Sequence, residues 1–415
     1  MKSNNEGFDK PMNTPATKSV SEQREIGRQQ VLDTIRAKQQ IARIDIAAVT
    51  GFSPATVTTI TAELLAGGLI QESATDTRDP GAKRGRPRVT LQLRGAAHYI
   101  AGVKVTQSSV TVLIVDFEGV EVLLSETPLP AARCTPWDLV NAIKMSLETA
   151  CTKAGLVLSD LSGAGVGLAG FIDADACFVH WSSSLSERNV DLGPELARQL
   201  PFPVFIDNDA NLVAKAEHLF GEGRNHSNFL VVTIEHGVGL GIVIDGKIFR
   251  GTRGCGAEFG HMKVQMDGAL CQCGQRGCLE AYVGEYALMN AASLSHAEAL
   301  FDDIASLSAA AAQNDPFAHM VLDQAQRMLS LGLANLINLF DPQLIILAGN
   351  DHMVRVPYID AAIEQASRLI VQVDAPMPPI RVHSWDNSLW AKGAAAYGIE
   401  KVSALSVRDL VRNGS

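Results

Sequence analysis

Apolar positions from Ser21 to Lys38 recur at helical spacing, with Ile26, Val31, Leu32 and Ile35 near one face, which predicts an amphipathic helix. The stretch from Ile41 to Leu65 predicts a short helix, a turn at Gly51 and a second helix. Ser53 suits its N-cap and Pro54 its first helical position. On that second helix Val57, Ile60, Leu64 and Leu65 form an inward stripe, leaving Ala55, Thr56, Thr58, Thr59 and Ala62 outward. Gly67-Gly68 ends the helix, and residues 69–72 and 88–93 read as the two strands of a wing. Near Tyr99 the pattern changes. Strands are predicted at 100–105, 110–119, 120–127, 163–169 and 203–206, with helices at 137–154 and 210–219. A second set follows: strands at 229–234, 240–244 and 343–347, and helices at 279–292, 317–339, 357–369 and 389–397. A strand meander followed by β/α alternation, occurring twice, predicts two α/β lobes with a cleft between them. Clefts of this kind take small ligands.

A chain of 415 residues is too long for one ordinary core. The pattern divides it into a polar tail (1–20, expected to be disordered), a winged helix-turn-helix (21–94), a first lobe (95–225) and a second lobe (226–385). The helix over 386–402 is expected to return to the first lobe. No apolar stretch reaches twenty residues, and Met1 to Val20 has no signal-peptide core, so a cytoplasmic protein is expected. The net charge of −10 is unevenly spread. Ser21 to Arg94 holds about 11 Lys/Arg against about 8 Asp/Glu, roughly +3, which leaves about −13 for the remainder.

That asymmetry directs any polyanion to the N-terminal segment. Ser53, Ala55, Thr56, Thr58 and Thr59 offer small side chains that can approach base edges and phosphates in a major groove. Between the wing strands, Lys83, Arg84, Arg86 and Arg88 place four cations in six residues around a thin Gly-Arg-Pro core, suited to a narrow minor groove. The order capped helix, polar outward face, basic loop predicts binding to double-stranded operator DNA.

The most specific chemistry lies at Glu258, Gly260, His261 and Cys271-Gln-Cys273-Gly-Gln-Arg-Gly-Cys278-Leu-Glu280. Three thiols within eight residues and an imidazole ten residues upstream supply the four N/S ligands of a closed structural zinc site. His261, Cys271, Cys273 and Cys278 are the expected ligands. Two glycines between Cys273 and Cys278 permit the tight loop such a site needs. A disulfide framework is the poorer reading of seven cysteines with three in one run.

In this order the winged helix-turn-helix, Asp207-Asn208-Asp209-Ala210-Asn211, the Gly-rich strand pair ending in Gly256-Ala-Glu258-Phe-Gly-His261, and the Cys cluster resemble the ROK family of repressors and sugar kinases. The resemblance runs from about residue 21 onward and implies an actin-like, sugar-kinase fold. It further implies that Asn208, Asp209, Glu258, His261 and Glu280 contact sugar hydroxyls. Carboxylates and an amide can satisfy several adjacent hydroxyls, each both donor and acceptor. His261 would hold zinc through one ring nitrogen and turn the other to the ligand.

In the family's kinases Asp209 would be the general base, and Gly-rich turns would hold the phosphates. Here the first phosphate loop reads Lys104-Val-Thr-Gln-Ser-Ser109, with the acidic residue replaced and the glycines gone. The second reads Glu235-His236-Gly237, placing a carboxylate where polyphosphate would lie. The kinases' Pro-Gly-Pro loop is Ala169-Gly170-Phe171, with His180-Trp181-Ser182-Ser183-Ser184-Leu185 downstream. Phe171 and Trp181 fit either a sugar-stacking role or the core. The expectation is a sugar-responsive DNA-binding regulator, a homodimer or homotetramer and a repressor without catalytic activity. The alternative is an ATP-dependent sugar kinase with an added DNA-binding head.

Overall fold

Caps and buried stripes account for the N-terminal elements in the computed structural model, which describes residues 20–74, 89–129, 131–295, 301–371, 373–385 and 388–413. Helix α1 (Val20–Lys38) buries Val31, Leu32 and Ile35 completely, whereas Ile26 is 45% exposed and does not belong to the stripe. Strand β1 (Ile41–Ala42) leads into α2 (Arg43–Thr50), closed by Gly51 in the left-handed conformation at φ 74°. The Ser53 side chain accepts from the Thr56 N–H to cap α3 (Pro54–Ala66). Val57, Ile60 and Leu64 face inward as expected, joined by Thr61, while Leu65 is only half-buried.

Strands β2 (Ile70–Ala74) and β3 (Val89–Leu93) are antiparallel. The short β1 adds a third strand beside β3 that the sequence pattern did not reveal. The basic segment carrying Lys83, Arg84, Arg86 and Arg88, and the N-terminal tail up to residue 19, lie outside the described residues.

Contacts group the chain into two compact units, Met1–Arg94 with Ser403–Ser415, and Gly95–Val402. Within the first, Leu410 lies against Gly67, and Arg36 donates to the Ser403 hydroxyl at 3.0 Å.

The second unit contains two five-stranded sheets with the same connectivity. In the first lobe β4 (Tyr99–Val105), β5 (Ser109–Asp116) and β6 (Glu121–Pro128) form the antiparallel meander. Helix α4 (Pro136–Ala154) then leads to β7 (Leu161–Leu168), parallel to β4. A small antiparallel sheet of β8 (Gly170–Asp173), β9 (Phe178–Ser182) and β10 (Val190–Asp191), followed by α5 (Gly193–Gln199), was not anticipated. Strand β11 (Val204–Asn208) closes the sheet in the order β11-β7-β4-β5-β6, and α6 (Asp209–Leu219) follows.

The second lobe repeats this arrangement. Strands β12 (Phe229–Ile234), β13 (Val238–Ile244) and β14 (Lys247–Ile248) form its meander. Helices α7 (Glu280–Val283), α8 (Glu285–Ser295), α9 (Ile304–Ala312) and α10 (Pro316–Phe340) come next. The parallel strand β15 (Leu344–Gly349), α11 (Asp351–Val354) and α12 (Pro357–Ala366) precede the edge strand β16 (Ile380–Ser384), which the sequence pattern missed. Each sheet buries a near-continuous apolar run, as strands covered on both faces do.

Helix α13 (Leu389–Asn413) runs well beyond the predicted 389–397. Its start packs on the first-lobe sheet at two glycines. A Cβ at Gly102 would meet the Ala391 carbonyl oxygen at 2.0 Å, and one at Gly165 the Ala394 carbonyl oxygen at 2.0 Å. Only glycine lets helix and sheet backbones approach so closely.

Candidate ligand cleft and metal centre

Strand β11 delivers the first site residues at its carboxyl end. Asn208 caps α6: its side-chain oxygen accepts from the Ala210 N–H at 2.9 Å, and its amide donates to the Gly170 carbonyl at 2.8 Å. Asp209 is the first residue of α6, where the helix dipole favours negative charge. Beneath them Asp207 is fully buried. One carboxylate oxygen accepts from the Asn208 N–H at 2.8 Å and the Asn211 amide at 2.9 Å. The other accepts from Arg250, whose Nε lies at 2.9 Å and whose Nη2 makes a second, shorter bond. This buried pair fixes the turn that presents Asn208 and Asp209. Arg250 had no local signal in the sequence, because it comes from a loop 43 residues away.

Glu258, His261 and Glu280 reach the same space from the second lobe. Together with Asn208 and Asp209 they line one cavity of about 580 Å³, within the roughly 300–1,000 Å³ of small-molecule sites. Burial, with Asp209 and Glu280 as like charges, pushes the Glu258 carboxyl up to about 7. Burial also lifts Asp209 to about 6, against the lowering effects of the Ala210 N–H and the Lys104 ammonium. Crowded carboxylates with raised proton affinity are a common signature of functional clefts.

The metal-ligand set also converges. The donor atoms of His261, Cys271, Cys273 and Cys278 all lie within 4.8 Å of one another. The sulfurs of Cys273 and Cys278 are 3.7 Å apart, and Nδ1 of His261 is 3.7 Å from the Cys271 sulfur. Tetrahedral bonds of about 2.3 Å to sulfur would hold two sulfurs about 3.8 Å apart, so the residues fit a four-coordinate ion. Gly277 has φ 76°, and a Cβ there would meet the Gln265 carbonyl oxygen at 1.7 Å. The loop therefore closes only with glycine. Lys263 donates to the Cys278 sulfur at 2.9 Å, setting a positive charge beside the thiols.

With Nδ1 of His261 turned to the thiols, Nε2 lies 4.0 Å from the Glu258 carboxylate on the cavity side. Glu280 ties the cluster to the cleft. One oxygen accepts from Tyr286 Oη at 3.3 Å and lies 3.5 Å from the Cys271 sulfur; the other accepts from the Val238 N–H at 3.2 Å.

Lys104 and Glu235, at the segments that match the kinases' phosphate loops, are electrostatic neighbours. The Lys104 ammonium sits 3.9 Å over the ring of Trp390, which itself lines the cavity. Its charge reaches both Asp209 and Glu235. Burial pushes the Glu235 carboxyl up to about 7, with Lys104 pulling it down and Asp209 and Glu285 pushing it up. Its Oε1 is enclosed and has no hydrogen-bond partner among the described residues.

A carboxyl whose folded pKa lies above its unfolded value binds more protons when folded. Its contribution to stability is therefore complete below the unfolded pKa, near 4.5, and is lost as pH rises through about 7. Glu235→Gln should raise the melting temperature more at pH 8 than at pH 5. A thermal denaturation series across that range checks this, and an equal shift at both ends would refute it.

In the N-terminal unit Ser53, Ala55, Thr56, Thr58 and Thr59 are all exposed. The Thr58 and Thr59 hydroxyls donate back to the Pro54 and Ala55 carbonyls, leaving their lone pairs outward.

The ROK family profile matches residues 100–400, which include the whole cleft and the cysteine cluster. The chain belongs to the ROK family. Among ROK proteins, it is similar to the xylose repressor of Bacillus subtilis (strain 168), 29% identical over 324 residues, covering 78% of this chain and 82% of that protein. It is also similar to the glucokinase of Streptomyces coelicolor (strain ATCC BAA-471 / A3(2) / M145), 33% identical over 263 residues, covering 60% of this chain and 80% of the kinase. A crystal structure of a ROK family transcriptional regulator, a homolog of the E. coli MLC protein, superposes with a TM-score of 0.78 at 25% identity, covering 94% of this chain and 99% of that one. The fold is thus an N-terminal helix-turn-helix unit followed by the two-lobed actin-like architecture shared by ROK repressors and sugar kinases. Among the described residues no helix is long and apolar enough to cross a membrane.

Proposed function

We propose that this ROK protein is a sugar-responsive transcriptional regulator, a repressor whose affinity for operator DNA changes when a sugar fills the cleft. The observation that carries the reading is the pairing, around Asp209, of an intact set of hydroxyl-binding side chains with Lys104 and Glu235. Asn208, Asp209, Glu258, His261 and Glu280 line one cavity and can share donors and acceptors among adjacent sugar hydroxyls. Glu235 lines the same cavity, and its carboxyl, pushed up to about 7 by burial with Asp209 adding to the shift, disfavours a polyphosphate at that turn as it ionises. The reading therefore has no catalytic residue. The names of the similar repressor and regulator favour it over a kinase.

In this reading zinc occupies His261, Cys271, Cys273 and Cys278, a set whose soft sulfur donors and imidazole suit that ion. It braces the loop from which His261 and Glu280 face the sugar. Ser53, Ala55, Thr56, Thr58 and Thr59 would meet the major groove, and Lys83, Arg84, Arg86 and Arg88 the minor groove. A homodimer or homotetramer would present paired helix-turn-helix heads to half-sites about one helical turn apart, or a multiple of it.

The test has two arms. DNA sequences selected by the full-length protein from a random pool are titrated with and without each member of a panel of hexoses, pentoses and amino sugars. One sugar is expected to shift the DNA affinity at least about fivefold, the low end of typical coupling between sites. No shift with any sugar would sink the sensor reading. The second arm incubates the protein with ATP and the same panel. Phosphoryl transfer that disappears in Asp209→Asn would establish the kinase alternative instead.

A further inference from the structure

The lining of the cleft carries charges of both signs, and the sugar reading leaves its cations unused. The carboxylates that line it, Asp209, Glu235, Glu258 and Glu280, all lie at or beyond residue 209. Every lining residue between 107 and 188 is neutral or cationic, and the cations are Arg133 and Arg188. Neither arginine makes an ion pair among the described residues. Arg133 is anchored through Nε to the Leu185 carbonyl at 3.0 Å, and the Cys134 and Leu185 backbones pair beside it. That bond leaves the terminal amino groups of Arg133 for another acceptor. Phe171 and Trp181, paired across β8 and β9 with ring centroids 5.7 Å apart at 43°, line the same cavity.

We propose that Arg133 and Arg188 form an oxyanion subsite, and that the ligand of this cleft is an acidic sugar, one bearing a carboxylate or a phosphate ester. The proposal rests on the sugar reading above. Its hydroxyls would be held at Asp209, Glu258 and Glu280, its apolar ring face would lie on Phe171 or Trp181, and its acidic group would meet the guanidinium pair. The planar fork of arginine matches both carboxylate and phosphate in a bidentate manner. Among the described lining residues only Arg133 and Arg188 carry a fixed positive charge, so an acidic group on a sugar finds its attraction there. The exposed position of both arginines makes their attraction sensitive to salt.

Calorimetric titration of the full-length protein tests this with gluco-, galacto- and manno-configured trios, each comprising the neutral hexose, its uronate and its 6-phosphate. In at least one trio an anionic member is expected to bind about tenfold or more tightly than its neutral parent, with the gap narrowing at high salt. Whichever of uronate and 6-phosphate shows the gap identifies the acidic group. In Arg133→Ala/Arg188→Ala the anionic member should fall to the affinity of the neutral one. A neutral hexose that binds as tightly as its anions, or a gap that persists in the double variant, overturns the subsite and leaves the sugar reading standing. If none of the nine compounds binds to protein that unfolds cooperatively, the acidic-sugar proposal falls, while the sugar reading is decided separately by the wider panel above.

Discussion

Cys273→Ser is expected to release the metal and to lower the melting temperature substantially. The variant isolates the proposed metal site because the Cys273 side chain is exposed, so its replacement removes one proposed ligand without emptying a packed site. Structural zinc sites in small peptides contribute on the order of 10–16 kcal/mol of apparent binding free energy, which is folding free energy there. Here the loop is also anchored by buried Cys278, Leu279 and Phe259, so only part of that sum should be lost. The loss should be local, concentrated between His261 and Glu280.

Glu280 then conveys it to the cleft, since its carboxylate accepts from Tyr286 beside the cluster and from the Val238 N–H at the cavity wall. Elemental analysis should find less than one equivalent of metal, and hydrogen exchange should accelerate between residues 262 and 280. The response to sugar should weaken with it. A variant with full metal content, or one that loses the metal yet responds normally, would break the proposed link between brace and pocket.

Arg250→Ala is the second large effect, expected to cost about 3–5 kcal/mol of stability. Asp207 is 0% exposed, and Arg250 supplies both bonds to one of its oxygens. Truncating the arginine leaves a buried charge with two neutral donors, the Asn208 N–H and the Asn211 amide. Arg250→Lys should recover only part of the loss, because an ammonium cannot reproduce the two-pronged contact. Asp207→Asn in the Arg250→Ala background should be less damaging than Arg250→Ala alone, since no uncompensated charge remains. Denaturant unfolding of the wild type, Arg250→Ala, Asp207→Asn and the double variant closes the cycle. A cost below about 1 kcal/mol for Arg250→Ala would mean that the pair is solvated and does not brace the turn.

Features governed by short stretches of chain were legible in the sequence. Ser53 caps its helix and Gly51 ends the one before it, because both depend on backbone conformation within a few residues. The His261-Cys271-Cys273-Cys278 cluster was equally legible: loop spacing brings its donors together almost regardless of surroundings. The two-lobed architecture could be read from the repeated meander and β/α alternation. Its weaker pieces could not. The hairpin sheet β8–β10 and the edge strand β16 are short and only partly buried, so they lack a strong apolar period. Ile26 matched the helical period yet faces solvent, since period alone does not say how wide the buried stripe is.

Local chemistry in the chain thus pointed to the family, to the His261-Cys271-Cys273-Cys278 cluster, to the capped helix-turn-helix and to the residues proposed to bind hydroxyls. Packing decided what surrounds them. Arg250 meets Asp207 across 43 residues, Lys104 meets Trp390, and Arg133 and Arg188 join the carboxylates around one cavity. These partners come from different strands, loops and lobes, and nothing in their neighbouring residues encodes the meeting. A spacing motif is a property of local chain geometry, whereas the charge balance of a cleft is a property of the topology that closes it.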